Sequence, residues 1–176
     1  MKSRHGALPA ITAVSLASIV SLPLGANAAE KYEMHAYTNR PSGPDVIAGD
    51  YDQAIAAATS LSASPDLIDR LVANTNLCVA YTLTAVFDKA VPACDDALVL
   101  AKRADGPSSG TIHESTATMK ALTNRGVLRA LSGDSIGAAR DFRKAVAMAG
   151  RSETPRENLE HLESTPAYQV AQAATK

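Results

Sequence analysis

The chain has 176 residues, 46% hydrophobic and 20% charged, with a formal net charge of −1. That length supports one compact domain, and a charge near zero excludes the basic surface that nucleic-acid binding needs as well as an acidic disordered tail. Aromatic residues make up 4%, Trp is absent and alanine occurs 34 times; this is poor material for a β-sandwich and predicts an all-α chain.

Residues 1–28 read as an address. Lys2 and Arg4 form a basic start, Ala7–Gly25 is mainly apolar, and Ala26-Asn27-Ala28 sets small residues at −3 and −1 of a cleavage site. This is the secretory pattern. Pro9, Pro23 and the lack of a basic stop argue against a retained anchor, and no later stretch is long and apolar enough to span a membrane. No Cys lies near the cleavage point, which argues against a lipid anchor. Cleavage removes two basic residues and no acid, leaving 15 basic and 18 acidic residues and a charge of −3. The style of the segment points to a bacterial source. The expected location is across the inner membrane, in the periplasm of a Gram-negative bacterium. Two cysteines remain, Cys78 and Cys94. An even count in an oxidising compartment favours a disulfide; two buried free thiols are the alternative.

Residues 29–47 show no helical pattern and read as extended or irregular, with a short alternation in Tyr32, Met34 and Tyr37. Helical spacing then predicts Asp50–Leu61, with Ala54, Ile55, Ala58 and Leu61 on one face. Pro65–Leu83 follows, with Ser64 as N-cap and Pro65 at N1. Phe87–Ala101 is next; Pro92 should kink it or mark a late start. The polar stretch 102–114 is a loop insert. Ser115–Leu131 and Ser135–Ala149 follow, separated by Gly133-Asp134, with Gly150 as the stop. Thr154-Pro155-Arg156-Glu157 has capping-box spacing and predicts a short helix to about Glu163. The rest of 151–176 reads as a disordered tail.

The helices align with one another. Cys78 followed by Ala90, Cys94 and Ala97 repeats the offsets of Gly126 followed by Ala138, Phe142 and Ala145. Asn76 aligns with Asn124, and Ala54, Ala90 and Ala138 take one slot. With Tyr81 three residues after the small slot, this resembles the tetratricopeptide repeat, a helix–turn–helix unit of about 34 residues. The resemblance covers roughly residues 48–150 and implies about two and a half stacked helical hairpins with a C-terminal capping helix. Arg129 departs from the Tyr position, Cys94 replaces an aromatic, and the insert lengthens the second interval.

The resemblance carries further expectations. It sets Cys78 and Cys94 on facing helices of one hairpin, which implies a disulfide stapling them. It lines a concave groove with Val72, Thr75, Val79, Thr82 and Leu83, then Lys120, Thr123, Val127, Ala130 and Leu131. Lys120 is the only polar binding group of a kind used for phosphate or carboxylate in that set. Such an apolar groove needs a partner or an internal cover. The expected partner is an unidentified protein or peptide; a self-occluding segment 30–44 stands beside it, and dimerisation is open because fewer than three repeats is marginal.

Chemistry is sparse. His35, His113 and His161 have no ligand spacing, and His113-Glu114 lacks the second His of a zinc-protease pair, Ala117 standing there. There is no C-x-x-C or phosphate loop, and Ser108-Ser109, within Gly106-Pro107-Ser108-Ser109-Gly110 of the polar insert, reads as a flexible-loop pair and not as a nucleophile elbow. The expectation is a non-enzymatic protein-interaction module without catalytic, metal or cofactor residues. The other reading is a small exported enzyme with its site near the 102–114 loop and His113.

Overall fold

The computed structural model describes residues 31–105 and 116–175. The address segment, His113 and Glu114 lie outside the described residues. Eight helices account for most of the rest: α1 (Gly43–Ala48), α2 (Tyr51–Ser62), α3 (Leu67–Leu83), α4 (Phe87–Ala104), α5 (Thr116–Leu131), α6 (Ser135–Met148), α7 (Thr154–Glu163) and α8 (Pro166–Ala173). No strand occurs among the described residues. Consecutive helices pack on each other as stacked hairpins, and α5 also meets α3 on one side and α7 on the other. No helix among the described residues is long and apolar enough to cross a membrane.

Alanine makes the close crossings. Ala54, Ala58, Ala80, Ala90 and Ala138 are all essentially inaccessible, so neighbouring backbones approach without leaving a void. The α5–α6 crossing uses Gly126, whose missing side chain leaves room for the fully buried Phe142 ring. A methyl there would run into the ring edge. Gly126→Ala is expected to cost about 1–3 kcal/mol by overpacking, despite alanine's better helix propensity. Urea unfolding measures this; unchanged stability would mean the ring moves aside freely. At the matching place in the α3–α4 crossing stand Cys78 and Cys94, which are joined, with Cα atoms 4.7 Å apart.

Five features of the fold depart from the sequence pattern. Asp66, not Ser64, caps α3: its carboxylate accepts from Ile68 N and Asp69 N at 2.8 and 2.9 Å. A charged acceptor suits the helix N-terminus better than a hydroxyl. Pro92 lies inside α4, which starts at Phe87 and runs to Ala104, so the insert loses residues 102–104. The segment 29–47 is not irregular to its end: Gly43–Ala48 is helical, closed by Gly49 in the left-handed region at φ 80°. Thr154 is not an N-cap; α7 begins at Thr154, after Glu153. The C-terminal stretch holds a second helix, α8, capped by Thr165, whose Oγ1 accepts from Tyr168 N at 3.3 Å. Arg143 fastens this end to α6, donating to Glu163 Oε1 at 2.6 Å and to Tyr168 Oη at 2.7 Å.

Candidate functional site

The segment before α1 lies extended across α7, α5 and α3, in that order. Three asparagines hold it. The Glu33 N–H donates to Asn158 Oδ1 at 2.9 Å, and Asn158 Nδ2 donates to Glu33 O at 2.8 Å. Asn124 makes the same pair with His35, at 2.7 and 2.8 Å. Asn76 makes it with Tyr37, at 2.9 and 3.2 Å. In an extended chain the N–H and C=O of one residue point to the same side, and alternate residues repeat that direction. A carboxamide carries one acceptor and one donor group and so matches such a peptide edge. Asn76, Asn124 and Asn158 are at most 1% exposed, so each needs these bonds: an unmet buried amide costs about 1–3 kcal/mol.

The helices set the spacing of the rungs. Asn76 sits mid-α3, Asn124 mid-α5 and Asn158 mid-α7, all on the face turned to the segment. Asn76 Nδ2 also donates to Ser42 Oγ at 2.8 Å, pinning the turn that leads into α1. Gly43 is required at that turn, because a side chain would strike the backbone of Tyr37 and Thr38.

Side chains of the segment alternate between two sides. Tyr32 and Met34 pack against the cluster of Val127, Leu131 and Phe142. Met34 and Ala36 pack against Val79 and Val46. Tyr32 also meets Phe142 at 6.2 Å between ring centres and His161 edge-on at 4.7 Å. On the other side, Lys120 Nζ stands 5.0 Å over the Tyr37 ring, a cation–π contact. Thr154 Oγ1 donates to Glu33 Oε2 at 3.4 Å. Burial pushes Tyr37 above its ordinary range, and Asp105 adds to this. An open cavity of about 370 Å³ remains beside Ala36, lined also by Val46, Ile47, Val79 and Leu83.

Of the residues expected to line the groove, Val79, Leu83, Val127, Ala130 and Leu131 belong to the clusters on which the segment packs, and Lys120 meets Tyr37. Val72, Thr75, Thr82 and Thr123 are buried; Thr123 turns its hydroxyl to Met119 O at 2.9 Å. The polar groups that matter most, Asn76, Asn124 and Asn158, are missing from the expected set. Their spacing is the available signal: Asn124 and Asn158 stand 34 residues apart, and Asn76 and Asn124 align once the insert is allowed for. Among the described residues no group of three His, Cys, Asp or Glu is placed to hold a metal ion. Neither a family model, nor a curated protein, nor a solved structure matches this chain.

Proposed function

We propose that this chain is an exported, tetratricopeptide-like helical-repeat module that binds extended polypeptide segments in the periplasm or cell envelope and performs no catalysis of its own. The observation that carries the reading is the asparagine ladder. Three buried carboxamides on successive repeats present matched acceptors and donors to a peptide backbone. A groove built this way takes an extended chain with little regard to its side chains, as edge-strand recognition does elsewhere. The joined cysteines agree with an oxidising compartment, and the secretory pattern of residues 1–28 supplies the route to it.

The test uses the chain's own segment as ligand. His35→Pro removes the N–H that Asn124 accepts and should free the groove in the full chain. A labelled peptide matching residues 30–39 should then bind in trans with roughly micromolar affinity, about −8 kcal/mol. Adding Asn124→Leu should weaken that binding at least tenfold. A His35→Pro chain with native circular dichroism and no affinity for the peptide defeats the reading.

A further inference from the structure

The occupied groove suggests how access to it is controlled, an inference that rests on the reading of the groove as a peptide site. We propose that residues 31–37 form an acid-sensitive strap, and that protonation of His35 loosens its central rung and opens the groove.

The geometry makes His35 the weak point. Its backbone is fixed by Asn124 through both its N–H and its C=O, so its Cα stays in place as long as the rung holds. The ring Nε2 is buried and has no hydrogen-bond partner among the described residues. A neutral imidazole tolerates this, since the nitrogen carries only an unused lone pair. A protonated ring would place an N–H and a charge there with no acceptor. The charged groups acting on the ring are Lys120 from α5, which repels a cation, and Glu33 from the segment, which attracts one. Glu33 is also engaged by Thr154 of α7. In the cavity His35 borders, α1 and α3 present only Val46, Ile47, Val79 and Leu83. Burial first and Lys120 second hold His35 below its ordinary value of 6.5, with Glu33 partly opposing them.

The sign follows from linkage. A released segment exposes His35 to water, where it titrates near 6.5. Above that pH the ring is neutral in both states and closure is unaffected. Below it the released state takes up a proton that the closed state resists, so closure weakens as pH falls toward the lower, closed-state value. Opening should therefore increase between pH 7.5 and 5.5, by up to about tenfold.

Amide hydrogen exchange of residues 31–42 in the full chain, normalised to the free peptide of that sequence, reads the opening directly and needs no partner. Wild type should lose protection over that interval, by up to about tenfold, and His35→Gln should show a flat profile. His161 also touches the segment, through Tyr32; His161→Gln is the control and should keep the response. Unchanged wild-type protection, or an equal loss in His35→Gln, overturns the proposal. The His35 ring proton shifts, followed by NMR in wild type, decide the matter if the variant is open at every pH: a midpoint at or above 6.5 in the closed chain also overturns it. Peptide binding by the His35→Pro chain is unaffected by either outcome, so failure of the strap and failure of the groove are separable.

Discussion

Replacing Asp141 by alanine is expected to lower the unfolding free energy by about 3–5 kcal/mol. Asp141 is 1% exposed, yet it is held by two guanidinium groups. Arg125 donates through Nε at 2.8 Å and Nη2 at 3.0 Å, and Arg129 through Nη1 at 2.7 Å. Arg125 also reaches Asp95 of α4 at 2.8 Å. One buried carboxylate on α6 therefore fixes two arginines on α5, and one of them ties α5 to α4. Burial works against the Arg125 charge, but its hydrogen bonds with Asp141 and Asp95 outweigh this and hold it above its ordinary range. Removing the carboxylate leaves Arg125 part-buried beside a void. The functional consequence comes through position: Arg125 follows Asn124, so the network that fixes the back of α5 also fixes the roll of its rung. Chemical denaturation measures the loss, and hydrogen exchange at residues 33–37 should rise with it. A loss below about 1 kcal/mol would place this network with ordinary surface pairs.

The second large effect is at the staple. Cys78→Ala with Cys94→Ala should cost about 3 kcal/mol, the loop-closure value for a link over a sequence separation of 16 residues. The next hairpin offers a repair. Gly126 and Phe142 are also 16 residues apart and fill the matching space by packing alone. Cys78→Gly with Cys94→Phe should therefore recover part of the loss relative to the double alanine chain. Reductant should lower the denaturation midpoint of wild type and leave that of either double variant unchanged. If the glycine–phenylalanine chain is no more stable than the alanine one, the two crossings are not equivalent.

The helices were legible because burial imposes a 3.6-residue period, and α2 through α7 carry it over at least ten residues each. The alanine slots and the Cys78–Cys94 alignment were legible because repeated crossings demand repeated residue sizes. α1 was not: six residues, Gly-Pro-Asp-Val-Ile-Ala, are too few to show a period. α8 opens on Thr165-Pro166, a cap followed by proline at N1, but Ser64-Pro65 shows the same pair without being a cap, so the pair alone does not decide. The groove was only half legible. Its apolar residues follow from helix faces, but a search for charged ligand-binding side chains overlooks a ligand that presents only peptide groups. Asn76, Asn124 and Asn158 look like ordinary polar residues until their partner is seen to be the chain itself.

A ladder with identical rungs has no sense of place. Shifting the segment by two residues would offer the asparagines another set of three peptide edges but would break the Asn76–Ser42 bond at the turn, whereas a shift of one would turn the wrong side chains inward. What indexes the strap is the Ser42 bond to Asn76 at one end and the side chains that differ along it: Tyr32 against Phe142 and His161, and Tyr37 under Lys120. The rungs supply grip and the aromatic rings supply the stops.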